Sequence, residues 1–274
     1  MAMKSIRRSI IAGSWYPGKP DVLRDDIEKY FSAANWELKG DIKALIVPHA
    51  GYIYSGQIAA YAYGLIRGEK YDTVIVIGPS HRVAFRGVSV FLGGGYETPL
   101  GVVPLDEAMG RKIISLNKDV QEIPAAHTSE HSIEIQLPFL QIALGKFSFV
   151  PLVMGDQNER TCQNIAQAIH EAAGDKKVLV VGSSDLSHFH DYQKAAKLDS
   201  VSIKYLEAAD AEGLLDNLSA NKTEACGGGP MAASILAAKK MGASKAKVLK
   251  YANSGDVTGD KTSVVGYVSA VYYQ

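Results

Sequence analysis

Only two of the 274 residues are cysteine, Cys162 and Cys226, so no disulfide framework staples the chain, and a reducing, cytoplasmic setting is expected. Neither sign of charge is in excess. The 29 Lys and Arg balance 29 Asp and Glu, which leaves no electrostatic footprint for nucleic acid or an anionic membrane. No apolar stretch approaches the roughly 20 residues that a membrane span requires. The opening segment 1–15 carries basic residues, but its apolar run of about four residues is below a signal-peptide core, and it reads as a first strand. Nucleotide fingerprints are missing as well. Gly93–Gly95 and Gly227–Gly229 fit neither G-x-G-x-x-G nor the P-loop pattern. Around Ser183 and Ser184 the chain reads GSSDL rather than G-x-S-x-G, which sets a serine hydrolase aside.

What is present is a series of apolar runs without polar alternation, Ala44–Val47, Val74–Ile77 and Val178–Val181. Such runs suit strands covered on both faces, as in a parallel sheet. Strand patterns at 41–47, 71–77, 88–92, 147–153, 177–181, 247–252 and 264–273 alternate with helical patterns at 20–34, 55–66, 104–116, 159–174, 195–210, 211–219 and 231–241. Ser55 is expected to cap the second helix. The segment 93–101 reads as a turn-rich excursion, 124–131 as a loop, and IEIQLPFLQIALG as a helix with a proline within it. The alternation predicts one three-layer α/β/α domain over residues 1–274. The last two strands are close in sequence and are expected to pair antiparallel, which makes the central sheet mixed.

Three of the strand patterns end in the same way. ALIVPHAGYIYSG carries His49, DTVIVIGPSH carries His81, and KVLVVGSSDLSHFH carries Asp185 and His188. Ligands of open α/β sheets sit outside the carboxyl ends of the strands. Two imidazoles and an Asp/His pair at such ends therefore point to one shared pocket with a transition metal in it. Cys226 precedes three glycines and a helix start, where backbone N–H groups and the helix dipole are expected to favour a thiolate. If 49, 81 and 226 share an ion, their ligand atoms should converge to within about 4 Å, given ligand bonds of about 2.0–2.3 Å. Cys162 lies on the apolar face of a helical pattern and reads as packing.

His188 suits general acid–base work, with Asp185 as its orienting partner or as a ligand. The motif HTSEHSIEIQ holds His127, Glu130, His131 and Glu134 in the order E-H-x-x-E, which is not the H-E-x-x-H of a metalloprotease. A helix beginning at Ser129 would put His131 and Glu134 on one face, either lining the pocket or forming a helix-start salt bridge. Trp15, Tyr16, Tyr52 and Tyr54 flank predicted loops, as walls of a cleft or as scattered surface aromatics.

The ordered set PHAGYIYSG, IGPSH, TPLG, EHSIEIQLPFL, GSSDLSHF and ACGGGP resembles the Memo family, whose prokaryotic members are called AmmeMemoRadiSam system protein B. The likeness runs from AGSWYPG to SVVGYVSAVYY. It implies a fold similar to the LigB-type class III extradiol dioxygenases, with a mixed sheet between helical layers. It also implies a metal site formed by His49, His81 and Cys226, with Asp185 and His188 in the same cleft. The dioxygenases use a carboxylate as the third iron ligand; a cysteine in that place favours copper or zinc over iron and speaks against catechol cleavage. The family name further implies association with a radical-SAM protein and an Amme-type domain. Three functions follow as expectations. The first is an iron- or copper-dependent redox enzyme acting on a small molecule. The second is a non-enzymatic module that binds a peptide or protein in a vestigial dioxygenase pocket. The third is a cysteine-dependent hydrolase with Cys226 as nucleophile.

Overall fold

Neighbouring residues of the run Ala44–Val47 enter two different cores. Ala44 and Ile46 join an apolar cluster with Ile75, Ile165 and Ile235, while Leu45 and Val47 join another with Ile27, Tyr63 and Phe139. A strand that is apolar on both faces has to be covered on both, and that requirement sets the three layers. The computed structural model describes residues 5–34 and 37–274; residues 1–4 of the predicted first strand lie outside the described residues.

The chain opens with β1 (Ser5–Arg7) and α1 (Pro20–Ala33), then passes through β2 (Ile42–Val47), α2 (Tyr52–Gly64), β3 (Thr73–Pro79), β4 (Val88–Val90), β5 (Gly94–Thr98) and β6 (Gly101–Pro104). Next come α3 (Glu107–Leu116), β7 (Val120–Glu122), α4 (Pro124–Thr128), a 3-10 turn at Glu134–Gln136, α5 (Leu137–Leu144), β8 (Phe149–Met154), α6 (Glu159–Ala173) and β9 (Val178–Ser183). The chain closes with β10 (His188–His190), α7 (Tyr192–Glu207), α8 (Ala211–Ser219), α9 (Gly228–Lys240), β11 (Lys245–Asn253), α10 (Ser254–Thr258) and β12 (Val264–Tyr273).

The main sheet has nine strands in the order β10-β12-β2-β9-β3-β8-β4-β7, with β11 paired to β12. Its centre is parallel: β2, β9, β3 and β8 all run the same way. β12 is antiparallel to both β2 and β11, and β4 is antiparallel to β8, so the sheet is mixed as expected. α3, α6, α7, α8 and α9 cover one face, and α1, α2 and α5 the other. The result is an α/β fold of one mixed sheet between helical layers.

Several local expectations are corrected. The N-terminal strand belongs to a separate three-stranded sheet with β5 and β6, and the expected turn-rich excursion is the hairpin of those two strands. α2 starts at Tyr52, not at Ser55; the Ser55 hydroxyl lies inside the helix and donates back to the Ala50 carbonyl at 2.9 Å. Pro138 sits in the first turn of α5, where its missing N–H costs nothing, so it begins a helix rather than interrupting one. The loop expected at 124–131 contains the short α4, and no helix starts at Ser129. No helix among the described residues is long and apolar enough to cross a membrane.

Candidate metal centre

Because β2, β9 and β3 are parallel neighbours, their carboxyl ends lie at one edge of the sheet, and the residues that follow them meet there. His49 follows β2, His81 follows β3 and Asp185 follows β9. Cys226 reaches the same place from the turn before α9. Gly227 allows that approach, since a Cβ there would lie 2.4 Å from the Ser183 carbonyl oxygen. His49 Nε2 is 3.0 Å from Cys226 Sγ, and one ligand atom each from His49, His81 and Cys226 fall within 4.8 Å of one another. This bound is wider than the expected 4 Å; the His49–Cys226 edge is already well inside it.

Each imidazole is held from behind. His49 is 2% exposed, and its Nδ1 lies 3.0 Å from the Ser183 hydroxyl. The Glu130 carboxylate accepts from the His81 backbone N–H at 2.6 Å, the His81 ring Nδ1 at 2.9 Å and the Ser132 N–H at 2.9 Å. Burial alone would raise the Glu130 pKa; the His81 hydrogen bonds and charge outweigh it and hold the carboxyl down to about 2. A permanently ionised acceptor on Nδ1 turns the other ring nitrogen of His81 toward the cleft, the arrangement that orients metal-binding histidines.

A second group, His81, Glu130 and His131, also lies within 4.8 Å. One Glu130 oxygen already accepts two N–H bonds and the other accepts a third, so this group is the support of His81 rather than a second site. His131 stacks on His81 at 4.6 Å between ring centroids and lies 4.4 Å from the Trp15 ring. Burial pushes the His131 pKa down to about 4, and burial together with the neighbouring His131 and His81 holds His49 well below the usual imidazole range. These two rings are therefore neutral near pH 7, the form a metal requires.

Asp185 and His188 reach the cleft but do not pair. The Asp185 carboxylate accepts from the His49 N–H at 2.7 Å, while His188 Nδ1 donates to the Leu186 carbonyl at 2.7 Å. The expected orientation of His188 by Asp185 is thus replaced by a backbone carbonyl. Burial pushes the Asp185 pKa up to about 7, against the hydrogen bonds from the His49 and Ala50 amides. His188 is lowered, also by burial first. His188 and Cys226 line one cavity of about 400 Å³ together with Gln157, Leu215, Leu218 and Glu224. His190 is engaged elsewhere, with Nε2 2.9 Å from Glu224.

For the thiolate expected at Cys226, the helix start and the burial of the sulfur act in opposite directions. Burial, and then the charge of Asp185, push the thiol up to about 12. The cysteine lies two residues before the start of α9. Cys162 is fully buried in the core, as packing requires.

The rest of HTSEHSIEIQ is structural. Glu134 turns away from His131 and accepts from Arg7, Ser9 and Tyr16. His127 is buried between Tyr96 OH at 2.7 Å and Ser89 Oγ at 3.0 Å. Burial, then the Arg7 charge, lower the His127 pKa to about 3. The unfolded chain takes up this proton near pH 6.5, whereas the fold refuses it until about pH 3. Stability is therefore expected to fall by up to ~1.4 kcal/mol per pH unit as pH drops through that window. Urea titrations of wild type and His127→Gln from pH 7 to 4 check this; equal slopes in the two proteins would contradict it.

Glu130, Ser183 and Gln136 were given no role by sequence reasoning. Glu130 carried a signal, a carboxylate next to a histidine in a turn-like segment. Ser183 and Gln136 carried none, because their partners are 134 and 88 residues away.

The sequence model of a family described as Memo-like protein matches residues 7–271. A MEMO1 family protein of Methanopyrus kandleri is 36% identical over 281 residues, covering 97% of this chain and 98% of that one. Another from Sulfolobus acidocaldarius is 37% identical over 279 residues, covering 96% and 98%. Among solved structures, an uncharacterized protein of Escherichia coli K12 superposes with a TM-score of 0.51 at 14% identity, over 83% of this chain and 99% of that one. At that identity the likeness speaks for the fold alone.

Proposed function

This chain belongs to the Memo family, and from that premise we propose that it binds one transition-metal ion through His49, His81 and Cys226 and carries out iron- or copper-dependent redox chemistry on a small substrate. The observation that carries the reading is the meeting of His49 Nε2 and Cys226 Sγ at 3.0 Å, with a His81 ring nitrogen inside the same 4.8 Å set. Two imidazoles and one cysteine sulfur fit a soft to borderline cation such as copper, iron or zinc. A bound iron or copper ion would supply one-electron chemistry and a position for a small ligand.

The protein's own residues do the rest. The Leu186 carbonyl fixes the His188 proton on Nδ1, which leaves Nε2 free to accept a proton from a substrate in the cavity and to return it. Asp185 ties the loop that carries His49 to the end of β9 through its hydrogen bond to the His49 amide. The cavity of about 400 Å³ that His188 and Cys226 line has room for a small molecule. A thiol held up to about 12 argues against the cysteine-hydrolase reading. Two unpaired cysteines suit a reducing, cytoplasmic setting.

Anaerobic purification followed by separate supply of Fe(II), Cu(I) and Zn(II) tests the proposal. Close to one equivalent of metal is expected in wild type and a large loss in His49→Ala. Wild-type protein that stays metal-free under all three supplies would refute it.

A further inference from the structure

We infer that Ser183, its proton held by the Ser132 carbonyl and one lone pair filled by Gln136, is a positioning residue that locks the His49 ring in its Nδ1–H tautomer and keeps a lone pair on Nε2, facing Cys226. The assignment follows from counting donors. Tyr63 OH lies 2.9 Å from Gln136 Oε1, and Gln136 Nε2 lies 3.0 Å from the Pro48 carbonyl. A flipped amide would set its oxygen against that carbonyl, two acceptors face to face, so the nitrogen belongs there. The same Nε2 then donates to Ser183 Oγ at 2.8 Å.

Ser183 has one proton, and it goes to the Ser132 carbonyl at 2.7 Å, which can only accept. With its proton given away and one lone pair taken by Gln136, Ser183 Oγ meets His49 Nδ1 at 3.0 Å as an acceptor. His49 must therefore carry its proton on Nδ1. Nε2 is left bare, 3.0 Å from Cys226 Sγ, where it can accept a hydrogen bond from the thiol, whose other acceptor is the Asp185 carbonyl at 3.6 Å.

All of these groups are buried, with Ser183 at 0% and Gln136 at 1% exposure, so water does not offer a competing partner. The two imidazoles of the centre are thus fixed by different means, His81 by the ionised Glu130 and His49 by a neutral hydroxyl whose direction the Ser132 carbonyl sets. A neutral acceptor adds no negative charge beside a ring that already faces a thiolate ligand. The consequence for metal affinity rests on the metal-centre reading; the tautomer itself does not.

The test uses full-length, metal-free protein labelled with 15N-histidine. Long-range 1H–15N correlations report which ring nitrogen is protonated, with the His49 signals identified by their loss in His49→Gln. Wild type is expected to show His49 protonated at Nδ1; protonation at Nε2 overturns the inference. In Ser183→Ala the His49 Nδ1–H loses its acceptor, and a second His49 tautomer is expected to appear. Cu(I) affinity, measured by competition with a chelator, is expected to fall about 10- to 100-fold, as for other loss of groups that orient metal ligands. A variant with unchanged tautomer and unchanged affinity overturns the lock. Should Ser183→Ala not fold, the wild-type spectrum decides the tautomer in any case. Wild type that shows the Nδ1–H form yet binds no Cu(I) overturns the metal reading and upholds the tautomer.

Discussion

Cys226→Ser is expected to lower Cu(I) affinity by more than about 100-fold, beyond what loss of a merely supporting group costs. Serine keeps the size of the side chain but offers a hard, un-ionised oxygen where a soft thiolate is needed. The loss for Zn(II) and Fe(II) should be smaller, because both accept oxygen ligands, so the preference among the three ions shifts as well as the strength. The thiol also sets a pH dependence. Its pKa is pushed up to about 12, so binding a metal near neutral pH must release that proton. Wild-type affinity is therefore expected to rise about tenfold per pH unit between roughly pH 7.5 and 9, and in Cys226→Ser that rise should vanish. Chelator competition across this range measures both effects. The same thiol should alkylate slowly in metal-free protein and more slowly still with metal bound; a rate that metal leaves unchanged would place the sulfur outside the coordination sphere.

The parallel core of the sheet was legible because Ala44–Val47, Val74–Ile77 and Val178–Val181 are apolar at every position, and only a strand covered on both faces calls for that. With the strands parallel, His49, His81 and Asp185 were bound to lie at one edge, so the place of the cleft followed from the pattern. Cys226 was tied to that edge by family resemblance; its glycine-rich neighbourhood suggested a close approach but not to what. What pattern alone did not reveal depends on partners far apart in the chain. The hairpin of β5 and β6 was hidden by glycines that usually mark turns; here Gly95 lies in the strand because Val102 and Val103 of β6 cross where a side chain would stand. At Cys226 the local cue, the coming helix, favours a thiolate, while the burial that the whole fold imposes works against it and is not visible in the local pattern. Glu134 was placed beside His131 by helical spacing, yet α4 ends at Thr128 and the chain between turns the two residues apart.

Glu134→Ala is expected to destabilise the fold by about 3–5 kcal/mol, the cost of leaving a buried charge unpaired. Glu134 is fully buried and faces Arg7, whose side chain is buried with it. Its carboxylate accepts from Arg7 Nη1 at 2.5 Å, Ser9 Oγ at 2.6 Å, Tyr16 OH at 2.7 Å and the Ile10 N–H at 3.1 Å. Removing it strands all of these donors at once. The damage should reach the candidate metal centre, because Arg7 also donates to the His127 and Glu130 carbonyls, each at 2.6 Å, and so holds the segment on which Glu130 supports His81. Urea unfolding of metal-free protein gives the stability, and Cu(I) competition on the folded fraction gives the coupling to the centre. Arg7→Leu/Glu134→Leu leaves no unpaired buried charge and is expected to recover part of that loss, though not all, since the Ser9, Tyr16 and Ile10 donors and the His127 and Glu130 carbonyls still lose their partners. Loss of less than about 1 kcal/mol in Glu134→Ala would mean that water reaches Arg7 and that the pair behaves as a surface ion pair.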